Sequence, residues 1–235
     1  MSALNELLWL VMLLANFISI LLIYRLFGKV GLYAWVPIAV IIANIQVTKT
    51  VELFGITASL GNIVYATSFL ATDILSENYG HKDAGNAVGI GFISLAALTL
   101  FMNLALMFRP SPADFVQESM STVFALLPRI ALGSFVAYGV SQVHDVWAYS
   151  FLKRKHPANK WIWLRNNAST MVSQAIDSLI FVTIAFAGIL PAAEFWEIVL
   201  STYILKWAVA AADTPLVYWA ASWKRRGVVQ ELEND

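Results

Sequence analysis

Cysteine does not occur among the 235 residues. Its absence excludes disulfides, thiol nucleophiles and Cys-ligated metals, and leaves the redox compartment unreadable. Charge is scarce as well: Asp, Glu, Lys and Arg make up 13% of the chain and sum to zero, against about 25% in an ordinary soluble domain. No basic tract suited to nucleic acid is present, so a nucleic-acid partner is not expected. Histidine is limited to His81, His144 and His156, far apart in the chain, and neither H-E-x-x-H nor G-x-S-x-G appears. No metal, no cofactor and no enzyme chemistry is expected on these grounds. A Walker loop is missing too, which excludes ATP hydrolysis by this chain, and Gly89-Ile-Gly91 lacks the following strand and helix of a nucleotide fingerprint. Asn167-Ala-Ser169 matches a glycosylation acceptor but sits beside a basic, inside-facing loop, where the match is accidental.

What is abundant is hydrocarbon. The chain is 59% apolar with a mean hydropathy of +0.69, the composition of an integral membrane protein. Nine Trp and eight Tyr suit interfacial belts at headgroup level. Apolar runs long enough to cross about 30 Å of hydrocarbon predict spans over about 4–24, 33–48, 59–75, 84–108, 129–151, 167–190 and 195–219. The expected fold is an all-α integral membrane protein, a bundle of about seven transmembrane helices in one polytopic domain over 1–235, with 224–235 as a short tail. Residues 49–62 are open to two readings, a connecting loop or a re-entrant hairpin.

Loop charge gives an orientation. Arg25 and Lys29, then Lys82, then Lys153, Arg154, Lys155, Lys160 and Arg165, then Lys224 to Arg226 fall on one side. The alternate loops hold only Lys49 and Arg109. Because Lys and Arg collect on the cytoplasmic side, the N-terminus is expected outside and the C-terminal tail in the cytoplasm.

Polar residues recur inside these spans. Asn167, Thr170, Gln174 and Asp177 follow one another at three, four and three, which places them on one helix face. Ser134, Tyr138, Gln142 and Asp145 do the same at four, four and three. Asp177 and Lys206 lie near the middle of their spans, where a charge costs roughly 2.5–3.5 kcal/mol on insertion scales. Either the two neutralise each other and hold helices together, or they line a polar site at mid-membrane depth. Asp73 and Glu77, four apart at the end of the third span, share a face as a solvated entrance or as part of that site. Asp145 can satisfy Lys153 or Arg154, and Arg129, just past Pro128, can anchor at the interface. Gly85-x-x-x-Gly89 lets two helices approach closely, within one chain or in a homodimer.

Four separated stretches carry a further signal: FLATDILSENYG at 69–80, the run RIALGSFVAYGVSQVHD at 129–145, NASTMVSQAIDS at 167–178 and WEIVLSTYILK at 196–206, with Thr214-Pro215 after them. Together they resemble the queuosine precursor transporter family, also called the vitamin uptake transporter family, from about Asn44 onward. The resemblance implies a six-helix transport core plus an N-terminal helix, and an importer in the bacterial inner membrane. Its cargo would be a 7-deazaguanine base, the 7-cyano or 7-aminomethyl precursor of queuosine, bound at mid-membrane and used in tRNA modification. It carries Asp73 and Glu77 across from the first stretch, Arg129, Gln142 and Asp145 from the second, Asn167, Thr170, Gln174 and Asp177 from the third, and Lys206 from the fourth, with Asn44 a further polar candidate. Under this reading Asp177 accepts the base's N1–H and exocyclic amine as two parallel hydrogen bonds. Gln174, Asn167 and Gln142 meet the remaining ring groups, and Tyr138, Tyr203, Trp207 or Phe181 supplies an aromatic face. Three modes of coupling stay open: a facilitator, proton coupling through Asp73 or Asp177 with Lys206, and a binding subunit served by a separate ATPase module. The alternatives are another planar nucleobase or vitamin as cargo and, from a different class, an intramembrane enzyme.

Overall fold

The computed structural model describes residues 2–155 and 162–231; the side chains of 2, 142, 145, 146, 149, 150, 153, 162–167, 169 and 170 lie outside the described set. Among the described residues the chain is mostly helical: α1 (Ser2–Gln46), α2 (Gly61–Tyr79), α3 (His81–Leu106), α4 (Gln117–Phe124), α5 (Leu127–Lys155), α6 (Ile162–Phe186) and α7 (Ala192–Arg225). Between α1 and α2 stand the short strands β1 (Thr50–Leu53) and β2 (Ile56–Ser59).

A straight helix the length of α1 would extend about 68 Å, but α1 is folded back on itself. Gly28 holds φ 54° and ψ −133°, a conformation open to glycine and strained for a residue with a Cβ. On either side of it run two arms. Asn5, near the start of the first arm, donates to the Glu52 carbonyl at 3.1 Å, and Met12 packs on the cluster that Ala39 and Ala43 of the second form with Val64. The arms are therefore antiparallel, and they correspond to the expected spans 4–24 and 33–48.

The segment left open in the sequence, 49–62, holds a β-hairpin, the departure from helix among the described residues. Thr50 pairs with Ser59 and Leu53 with Ile56. Phe54 (φ 53°) and Gly55 (φ 79°) make the turn, the two left-handed residues that match the twist of paired strands. Its exposed backbone groups would be costly away from water. Side chains of α7 meet two of them: Thr57 N–H donates to Glu197 at 2.9 Å, and the Ser201 hydroxyl donates to the Thr57 carbonyl at 3.0 Å.

Helix α2 sits at the centre, packed against α1, α3 and α7. That position explains its composition. Its buried residues include Asn62, Thr67 and Ser68 beside Ile63, Leu70 and Ile74, because a helix surrounded by protein need not be apolar all round. Four other stretches, Ala3–Gln46, His81–Leu106, Gln117–Ser141 and Ala192–Arg225, are long and apolar enough to cross a membrane, and Met171–Phe186 is a shorter apolar one. Their outward faces are apolar: Leu132, Val136, Val140, Val143 and Trp147 line one side of α5, and Trp196, Leu200, Ile204 and Trp207 one side of α7. Exposure of large apolar residues at three- and four-residue steps is what a lipid-facing helix presents. On α3, a side chain at Gly91 would meet Val40 of α1 at 3.1 Å, whereas Gly85 and Gly89 face open space.

The bundle has two distinct ends. At one lie the hairpin, the starts of α5 and α7 and the end of α6. At the other the Gly28 turn meets the α2–α3 junction and the C-terminal tail: Lys29 pairs with Asp83 at 2.7 Å, Gln230 N–H donates to the Arg25 carbonyl at 2.9 Å, and Glu231 accepts from the Lys29 backbone N–H at 3.1 Å and from the Tyr79 hydroxyl.

Candidate functional site

The site begins with a close approach. A Cβ at Gly61 would stand 2.3 Å from the Ala43 carbonyl oxygen and 2.7 Å from the Val47 nitrogen, so only glycine lets α2 start pressed against the second arm of α1. That contact sets Asn62 and Tyr65 of α2 beside Asn44 of α1. Ser134 and Ala137 of α5, Asp177 and Phe181 of α6 and Lys206 of α7 complete a small cavity of about 30 Å³, room for about two waters while the ion pair is closed.

Its polar core is an ion pair. The Lys206 ammonium donates to Asp177 Oδ2, with 5% and 8% of the two side chains exposed. Asp177 Oδ1 accepts from the Ser141 hydroxyl at 3.4 Å, and the ammonium stands 4.9 Å from the centre of the Tyr65 ring. Above the pair, Ser134 donates to Asn44 Oδ1 at 3.2 Å and Asn62 donates to the Thr202 hydroxyl at 2.8 Å. On α6, Gln174 Oε1 and Ser178 Oγ are buried without a hydrogen-bond partner among the described residues. Buried polar atoms are nearly always satisfied, so these two stand out beside Asp177 on α6, although neither is on the cavity wall. A carboxylate with amides, hydroxyls and an aromatic ring around it can hold a flat molecule that offers paired N–H donors.

Of the residues expected from sequence, Asn44, Asp177 and Lys206 come together on the cavity wall, with Phe181 as an aromatic neighbour, and Gln174 lies on the same helix three residues from Asp177. Arg129 is held elsewhere: its guanidinium donates to the carbonyls of Ile184 at 2.8 Å and Ala187 at 2.7 Å, closing the end of α6. Tyr138 stacks edge-on to Phe92 at 4.9 Å, Tyr203 is half-buried on α7, and Trp207 is 54% exposed on the outer face of α7. Asp73 and Glu77 line a second cavity, of about 580 Å³, with Asp213, Thr214 and Arg225. Gln142 and Asp145 lie on α5 and Asn167 and Thr170 on α6, but their side chains lie outside the described residues. Sequence spacing passed over Tyr65 and over Asn62, which ends the segment left open between a loop and a re-entrant hairpin. Among the described residues no cluster of three or more His, Asp or Glu is arranged for a metal.

Comparison with known proteins now has a site to attach to. A family model described as "Putative vitamin uptake transporter" matches residues 59–220. A "Probable queuosine precursor transporter" of Bacillus subtilis (strain 168) is 46% identical over 216 residues, 92% of this chain and 94% of the relative. The chain belongs to the queuosine precursor transporter family. A second relative, the "Queuosine precursor transporter" of Escherichia coli (strain K12), is 30% identical over 167 residues, 70% of this chain and 72% of its own. No solved structure matches. All four stretches that resemble the queuosine precursor transporter family fall inside the matched 59–220, and with them Asp177, Lys206, Asn62 and Tyr65. Asn44 precedes that range, yet the Bacillus member of the family covers so much of this chain that it takes in the second arm of α1.

Proposed function

We propose that this chain imports queuosine precursors, 7-cyano- or 7-aminomethyl-7-deazaguanine, across the bacterial inner membrane and holds the base at the Asp177–Lys206 cavity. The single observation that carries the binding site is the buried Asp177–Lys206 pair, flanked on α6 by the unpartnered Gln174 and Ser178 oxygens. The relatives, named as queuosine precursor transporters, support the cargo class. A guanine-type base offers N1–H and an exocyclic amine side by side, and these replace the ammonium at Asp177 as two parallel charge-assisted hydrogen bonds. The released Lys206 turns to the base's carbonyl oxygen, and Gln174, Asn44 and Asn62 meet the remaining ring edges. Tyr65 and Phe181 provide the stacking faces. Asn167, Thr170, Gln142 and Asp145 remain candidates from their sequence spacing.

The chain spans the membrane seven times in this reading, the two arms of α1 counting separately and α2 included despite its polarity. The end that carries Lys29 and Lys224 faces the cytoplasm, in keeping with the retention of Lys and Arg on that side. A cavity built from the inward faces of several helices suits passage of an unchanged ligand.

Uptake of labelled 7-cyano-7-deazaguanine by the purified protein in liposomes tests this. The wild type is expected to admit the base unchanged, with guanine, adenine and vitamins competing poorly. Asp177→Asn is expected to reach the membrane and not transport. Near-normal uptake by Asp177→Asn would sink the assignment, and efficient competition by a different planar vitamin would move the cargo.

A further inference from the structure

The second cavity contains a group that the base site does not use. Asp213 on α7 is 3% exposed, it lines that cavity, and its Oδ2 has no hydrogen-bond partner among the described residues. Asp73 lines the opposite wall from α2. An ionised carboxylate buried without a partner is strongly unfavourable; a carboxylic acid in the same place costs far less. The charged and titratable groups around it are few. Asp73 and Glu77 belong to α2, and Tyr218 and Arg225 to α7 itself. From α1 comes Arg25, stacked at 5.8 Å on Trp223; from α6, Asp177, already held by Lys206. Strand β2 meets α7 only around 197–205.

Position links this group to the base site. Lys206, Val209 and Asp213 follow at three and four residues, all buried, so they form one stripe on the inner face of α7. Asp213 lies two turns below Lys206. On α2, Tyr65 and Asp73 are also about two turns apart, Tyr65 half-buried and Asp73 more exposed. The two helices that wall the base cavity also wall the acid cavity, and a movement of α7 against α2 alters both.

We propose that Asp213, facing Asp73, is a proton site that couples transport to a proton gradient, one proton crossing with each base. This rests on the transport function proposed above. The proton adds to the carboxylate to form an O–H when the site communicates with the outer water. It leaves to cytoplasmic water when the cavity opens at the Glu77 and Arg225 end. No bond to the base is made or broken.

The test uses full-length protein in liposomes with the membrane potential clamped and labelled 7-cyano-7-deazaguanine, a neutral base, as probe. For one proton per base, an inside-alkaline gradient of one pH unit should accumulate the base about tenfold, and a protonophore should abolish it. Asp213→Asn should lose accumulation while keeping exchange of external for internal base. Retained accumulation in Asp213→Asn would overturn the proposal, as would a wild type that only equilibrates or responds to sodium alone. Failure of the wild type even to exchange base would instead remove the transport function on which the proposal rests. If Asp213→Asn does not reach the membrane, Asp73→Asn takes its place: a changed pH profile of accumulation supports the pair, and an unchanged profile contradicts it.

Discussion

Lys206 and Asp177 meet as a buried ion pair between α7 and α6, with 5% and 8% of their side chains exposed. Two charges taken out of water lose far more solvation than a lone contact restores. Here Ser141 supports the carboxylate at 3.4 Å and the Tyr65 ring supports the ammonium at 4.9 Å. In the function proposed above, the pair is the closed form of a binding site: each partner keeps the other satisfied until a ligand with matching donors and acceptors takes their place.

The pair should therefore be worth more than either residue alone. Lys206→Met leaves Asp177 buried and unopposed, and unfolding of the detergent-solubilised protein should show a loss of about 3–5 kcal/mol. Asp177→Asn should cost a similar amount. The double variant should recover most of the loss, and additive losses would contradict the pairing.

Gly61 should tolerate no side chain. Its Cβ would sit 2.3 Å from the Ala43 carbonyl oxygen, and backbone on both sides cannot yield cheaply. Gly61→Ala should push α2 from the second arm of α1 and weaken uptake at least tenfold, with a lower melting temperature. Gly85→Ala, in open space, should leave both unchanged.

If Tyr65 gives the base its aromatic face, the ring matters and the hydroxyl does not. Tyr65→Phe should bind the base within about twofold of wild type. Tyr65→Leu should weaken binding by about 0.5–1.5 kcal/mol, read by titration of the purified protein.

Outside the spans expected from sequence, Asp83 is held below its usual carboxylate range by hydrogen bonds from Lys29 and then Tyr33, and Lys29 is raised, chiefly by its bond to Asp83. A lowered carboxylate stabilises above its unfolded pKa of 3.8 and loses that contribution as pH falls through the folded value. A raised lysine contributes fully below 10.5 and loses it as pH rises through the folded value. The melting-temperature difference between wild type and Asp83→Asn should therefore be flat from roughly pH 5 to 9 and shrink in stronger acid. A difference that grows in acid would contradict the sign.

Membrane residence and helical class were legible because apolar runs and their Lys and Arg flanks are direct consequences of the bilayer. The reversal inside α1 was legible as two spans, though one glycine accomplishes it. Asp177 and Lys206 stood out because a charge in the middle of an apolar run demands an explanation. The hairpin at 49–62 did not read as strands: four-residue strands leave little alternation to see, and their stability comes from Trp9, Leu205 and the α7 side chains, all remote in sequence. Tyr65 and Asn62 went unseen for a related reason. A central helix such as α2 is sheltered from lipid, so its site residues do not contrast with an apolar background, and only the packing shows which ones face the cavity. Arg129 had a place in the site by resemblance, whereas its hydrogen bonds run to the end of α6, a pairing that no local spacing announces.

The central claim is that the base is held at the Asp177–Lys206 cavity, and binding to the purified protein tests it most directly. Unfolding of the wild type, Asp177→Asn and the Asp177→Asn/Lys206→Met double variant would be followed in detergent with and without 7-cyano-7-deazaguanine. At 100 times its dissociation constant the base should stabilise the wild type by about 2.7 kcal/mol and neither variant at the same concentration. Equal stabilisation of all three would contradict the account.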